Sequence, residues 1–124
     1  MPYPWDDPTS LVGDELSIVA FVMDYVEFHF NGPVLRALTD PIVEHGGVRV
    51  KFPSPGSRDA LCALIGTEVE SVTLQEGDRI ELRTNRGHTL AIPLDSSSRV
   101  GPEAAHFVPA DESGRLLVSA MQIW

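Results

Sequence analysis

The sequence predicts an α+β fold: a curved, mostly antiparallel sheet, or a partly closed roll, built from two similar hairpins with one short helix packed on it. Three observations predict it. A strand–turn–strand pattern occurs twice, over about residues 12–38 and 65–94. Most apolar stretches alternate with period two, which places one face of a strand in a core and the other in water. A single stretch, Ser57 to Ile65, spaces its apolar residues as a helix does. The 124 residues are expected to form one domain, 1–124, large enough to bury a core without disulfides or metals.

The elements follow in order. The opening segment to Thr9 holds three prolines and cannot sustain regular structure, so Tyr3 and Trp5 are expected to pin it to the body. Leu16 to Met23 is nearly continuous apolar sequence rich in β-branched residues, which predicts a strand buried on both faces or nearly so. Val26, Phe28 and Phe30 then alternate with Glu27, His29 and Asn31. Asn31-Gly32-Pro33 is a turn, and Val34 to Leu38 returns as a strand. Ile42 to His45, Gly46-Gly47 and Val48 to Phe52 read as a hairpin, with Val48, Val50 and Phe52 on one face.

Pro53 to Ser57 is a loop leading to the helix. Either Ser54 caps it, with Pro55 in the first helical position, or Ser57 caps it one turn later. Leu61, Leu64 and Ile65 form its apolar stripe, and Gly66 supplies the left-handed stop. Cys62 is the only cysteine, expected to be a small buried residue on this helix. Glu68 to Leu74, Arg79 to Arg83 and His88 to Leu94 are strands joined at Gln75–Asp78 and Asn85-Arg86-Gly87. After a polar loop from Asp95, the last strand candidates are Glu103 to Val108 and Leu116 to Trp124, with the closing Ile-Trp expected to be tied down.

In the repeat, Gly13 and Glu15 match Gly66 and Glu68. With one residue inserted in the second copy, Asp24, Val26, Glu27, Phe28 and Asn31 match Asp78, Ile80, Glu81, Leu82 and Asn85. Leu11-Val12-Gly13 likewise matches Leu64-Ile65-Gly66, so Thr9 to Val12 is expected to be a vestige of the helix. Two hairpins of one polarity pattern can also resemble each other without common descent. The paired aspartates fit turns in which the side chain bonds its own backbone two residues on.

Charge narrows the partners. With 18 acidic and nine basic side chains the net charge is −9, which disfavours nucleic acid and favours a basic protein surface. The longest apolar run, Ile18 to Met23, falls far short of the ~20 residues a membrane span needs, and the first residues lack a signal-peptide pattern. A cytoplasmic location without membrane contact is the expectation.

The chemistry candidates are Glu27, His29 and His88. Glu27 and His29 lie two apart on one strand and share a face, and an imidazole beside a carboxylate is a workable general base or half a metal site. His88 is a third member if the second hairpin lies beside the first. The plainer reading is a solvated ion-pair ladder, because Glu27 is matched by Glu81 and His29 by Arg83. No spacing among the four histidines suggests zinc, and no phosphate loop or nucleophile elbow is present, so no cofactor, metal or catalytic residue is expected. Ser57-Arg58 at the helix start offers a weak anion contact.

The stretches Asp24-Tyr-Val-Glu-Phe-His-Phe-Asn-Gly32, Leu61-Cys-Ala-Leu-Ile-Gly66, Asp78-Arg-Ile-Glu-Leu82 and Ile123-Trp124 resemble a family of small actinobacterial proteins of unknown function. Members of such families are placed near immunity proteins of toxin systems. The resemblance implies a fold and supplies no catalytic residues. The expected function is a non-catalytic protein-interaction module, immunity-like, binding a protein or a second copy of itself. The alternative is a small-ligand binder or enzyme with a cavity between sheet and helix, around Glu27, His29 and His88.

Overall fold

The structure, a computed structural model, describes residues 7–23 and 25–124. Tyr3, Trp5 and Asp24 lie outside the described residues. The strands, in chain order, are β1 (Ile18–Val22), β2 (Tyr25–His29), β3 (Val34–Ala37), β4 (Ile42–His45), β5 (Val48–Lys51), β6 (Val69–Gln75), β7 (Arg79–Thr84), β8 (Thr89–Pro93), β9 (Ala105–Val108) and β10 (Gln122–Ile123). Helix α1 (Ser57–Cys62) lies between β5 and β6.

The fold is α+β, and every strand pair is antiparallel. The strands divide into two five-stranded sheets rather than one curved sheet, ordered β1-β2-β3-β9-β10 and β5-β4-β8-β7-β6. The alternation explains the division. Val26, Phe28, Leu35 and Ala37 of the first sheet and Ile80, Leu82, Leu90 and Ile92 of the second are all buried in one core cluster, joined by Leu61 and Leu64. Each sheet turns one apolar face to that shared core and leaves Glu27 and His29, or Glu81 and Arg83, on its outer face. α1 packs against β1 and β5, an edge strand from each sheet.

The two matched stretches pair their strands in equivalent registers. β1–β2 pairs Val19 with Phe28, Phe21 with Val26 and Val22 with Tyr25. β6–β7 pairs the matching Val72 with Leu82, Leu74 with Ile80 and Gln75 with Arg79. The inserted residue falls in the turn: residues 23–24 separate the first arms and 76–78 the second. The copies meet where Glu15 faces Glu68 in an antiparallel bridge. There Gly13 N–H donates to the Val69 carbonyl and Gly66 N–H to that of Leu16, both at 2.8 Å. Leu16 N–H donates to Thr67 and Val69 N–H to Asp14, both at 2.9 Å. Exchanging each residue for its match maps this set of bonds onto itself. Gly13 and Gly66 have φ of +90° and +88°, a conformation that L side chains rarely adopt. Leu11 and Leu64 before them are fully buried, and the 3-10 turn Pro8–Leu11 stands where α1 ends in the second copy.

Several local expectations are corrected. β1 is an edge strand, not a doubly buried one: Ile18, Phe21 and Val22 are 49%, 36% and 40% exposed. Gly56, with positive φ, takes the N-cap position of α1 and makes no side-chain cap; Ser57 is the first helical residue, buried, and Ser54 bonds the Lys51 carbonyl. Regular helix ends at Cys62, and tighter bonds from Leu64 to Leu61 and Ile65 to Cys62 continue the turn. Cys62 and Ile65 are exposed because the helix buries the Leu61–Leu64 side instead. Val48 is exposed at the β4–β5 tip, beyond the reach of the core. No side-chain hydrogen bond from Asp78 appears among the described residues; its carbonyl accepts from Leu94 N–H, and Asp7 and Asp111 make the predicted kind of bond. Of Leu116–Trp124, Leu116 forms an isolated antiparallel bridge with Ala110, the 3-10 turn Val118–Ala120 intervenes, and Gln122–Ile123 is the part that forms a strand, with Trp124 N–H bonded to the Ala105 carbonyl.

Candidate functional site

Glu27 and His29 do meet. His29 Nε2 lies 3.1 Å from one Glu27 carboxylate oxygen, and Arg36 Nε donates to the other at 2.9 Å. Register brings Arg36 there, because Glu27 on β2 pairs with Arg36 on β3, which pairs in turn with His106 on β9. Arg36 also donates to His106 Nδ1 at 2.9 Å, and His106 Nε2 reaches Glu103 at 3.1 Å. The Arg36 guanidinium lies 5.1 Å over the Tyr25 ring. Burial works to raise the Glu27 carboxyl, but the hydrogen bonds and charges of Arg36 and His29 outweigh it and hold the pKa below its ordinary value. Each Glu27 carboxylate oxygen thus has one side-chain partner, in a row of charged groups along the outer face of the sheet. The matching Glu81 is held the same way, by Arg79 at 3.1 Å and Arg83 at 3.5 Å.

His88 stands in the second sheet's hairpin, and none of its bonds or ring contacts among the described residues reaches Glu27 or His29. Its ring stacks on His45, centroids 4.0 Å apart and planes 15° from parallel. Its Nδ1 lies 3.3 Å from Thr84 Oγ1. Burial first, then the charges of His45 and Arg86, push its pKa down. The stack closes one side of a cleft between β4, β5 and α1, with a volume of about 150 Å³. Val43, Val50, Ala60 and Ala63 form its apolar walls. A cavity between sheet and helix is therefore present, with His88 on it and without Glu27 or His29. No group of three or more His, Cys, Asp or Glu among the described residues is arranged to hold a metal, and no helix among them is long and apolar enough to cross a membrane.

The edges of the two sheets differ in a way the sequence did not reveal. β10 has only two residues. β5 carries Arg49 and Lys51. β6 carries Glu70, has a register shift between Val69 and Ser71, and is covered at its start by the 13–16 segment. Shortness, charge and bulges are the devices that stop edge strands from pairing with other chains. β1, Ile-Val-Ala-Phe-Val, has none of these three; its cover is α1, which packs against it, with Phe21 stacked on Phe52 at 5.7 Å and Arg58 lying over the Phe21 ring. Among the described residues no backbone hydrogen bond from any element but β2 reaches it. Met23 at its end is 97% exposed. Knowing that β1 lies at an edge requires the sheet order, so its apolar run reads in sequence as core.

Compared with known proteins, the chain matches no family model, no curated protein and no solved structure.

Proposed function

We propose that this chain is a non-catalytic protein-interaction module that takes a partner strand along β1. One observation carries the reading: among the described residues β1 is the edge strand without charge, proline or bulge, and although α1 packs against it and Phe21 stacks on Phe52, Ile18 and Val22 leave apolar side chains exposed on its outer face. Strand addition supplies affinity through main-chain hydrogen bonds and specificity through alternate side chains. The absorption of Glu27, His29 and Glu81 into ion-pair ladders supports a binding role over a catalytic one. The resemblance to small actinobacterial proteins gives the reading an immunity-like form, in which the partner is a toxin.

The test is to place a lysine on the outer face of β1 by Val22→Lys and, separately, Ile18→Lys. Both sites are exposed, so the fold is expected to survive, as circular dichroism would verify. Wild-type chain is expected to associate with a second copy in sedimentation or with the product of a co-expressed neighbouring gene, and each variant to lose that association. Equal behaviour of wild type and both variants against every partner tried would remove β1 from the account.

A further inference from the structure

The cleft beneath the His45–His88 stack carries a second inference, independent of β1. Thr84 Oγ1 accepts from two backbone groups, His88 N–H at 3.1 Å and Arg86 N–H at 3.4 Å. Both lone pairs are then engaged, and the hydroxyl proton is left to donate to His88 Nδ1 at 3.3 Å. Nδ1 is therefore the acceptor nitrogen, and the proton of the neutral ring is on Nε2. Nε2 makes no hydrogen bond to any described residue. Nor is it sealed: Ser57 Oγ is the one fully enclosed side-chain polar atom without a partner among the described residues. His88 is only 8% exposed, and the cleft is the space it lines. Val43, Val50, Ala60 and Ala63 make the other walls apolar, and no Asp, Glu, Lys or Arg lines it.

We propose that this cleft binds a small uncharged aromatic carbonyl compound, with His88 Nε2–H donating to the carbonyl oxygen and the ring lying between Ala60 and Ala63 of the helix and Val43 and Val50 of the sheet. The volume sets the size, since a cavity of about 150 Å³ accommodates benzene, and drug-sized ligands need roughly twice that or more. The walls disfavour a carboxylate, which would lose water there with no Lys or Arg lining the cleft to pair it. The donor selects an acceptor: of the two imidazoles on the cleft, His45 has its Nε2 engaged 3.1 Å from the Arg86 carbonyl, which leaves His88 Nε2–H as the free donor.

The probe is acetophenone, with α-methylstyrene as its isostere lacking the oxygen, titrated into the full chain labelled with ¹⁵N. Acetophenone is expected to shift the His88 Nε2 resonance and the amides of Val43 and Ala60 saturably. The isostere, and acetophenone on His88→Phe, should each bind about five- to tenfold more weakly, the worth of one net hydrogen bond. Ala60→Leu, which fills the cleft, should abolish the shifts, with the spectrum elsewhere reporting that the fold persists. Absence of a saturable shift with acetophenone overturns the site. Equal binding of the isostere overturns the assignment of Nε2–H as the recognising donor. Unchanged binding in a folded Ala60→Leu places the ligand elsewhere and overturns the proposal.

Discussion

Arg36 is the side chain on which the outer face of the first sheet converges. Its guanidinium serves Glu27, His106 and the Tyr25 ring together, and no lysine reproduces three planar contacts. Arg36→Ala leaves the half-buried Glu27 carboxylate with His29 alone, and stability is expected to fall by about 1–3 kcal/mol in urea unfolding. Arg36→Lys should recover only part of it. The pH dependence follows. A carboxyl whose folded pKa is depressed contributes stability above its unfolded pKa and loses it as pH falls through the folded value. Arg36→Ala should therefore flatten the acid limb of the wild-type curve. His88 acts in the same direction at higher pH. Its folded pKa lies below the ordinary 6.5, so in the window beneath 6.5 the unfolded chain binds the extra proton and stability drops as pH falls. Urea midpoints of His88→Phe should lack that drop. At this scale the sequence makes the Glu27–His29 pair legible, because two residues on one strand share a face. Arg36 and His106 are not legible, since the bond between them spans 70 positions and depends on a register that no local pattern states.

At the scale of elements, the hairpins of the two matched stretches are the most readable part of the chain. The matched glycines, the buried Leu11 and Leu64, and the turn that absorbs the extra residue all stand where the alignment of the two copies puts them. Equivalent positions should respond alike. Leu11→Ala and Leu64→Ala each remove a fully buried leucine and are each expected to cost about 2–5 kcal/mol. A large cost at one with none at the other would argue that the short 3-10 turn does not do the helix's work. The junction of the copies holds a defect that can be repaired. Glu15 and Glu68 are like charges directly opposite each other in an antiparallel bridge. Glu68→Lys should raise the urea midpoint by the equivalent of about 0.2–1 kcal/mol, and salt should shrink the gain. The Asn85 bond there goes to the Glu68 backbone and survives the change. β1 and α1 were the less legible elements. A continuous apolar run does not say whether a second neighbour exists, and the serines near the helix start offered two caps where the backbone uses Gly56.

At the scale of the molecule, two features oppose each other. A net charge of −9 keeps copies apart, while the uncharged edge strand β1 invites pairing. Lowering the pH toward the isoelectric region near 4.7 removes the repulsion. Light scattering is expected to rise there for the wild-type chain and to rise less for Val22→Lys, which restores both charge and edge protection. The sheet order has a further consequence for synthesis. β4 to β8, residues 42–93, complete the second sheet among themselves. β3, made earlier than any of them, finds its outer neighbour only when residues 105–108 emerge, as Leu35 aligns with Phe107. On the ribosome the second-made sheet is thus free to close first, while the older strand waits with an open flank. The interval between translation of Ala37 and Val108 is the time in which a nascent chain can mispair, and the late strands act as the cover that ends it.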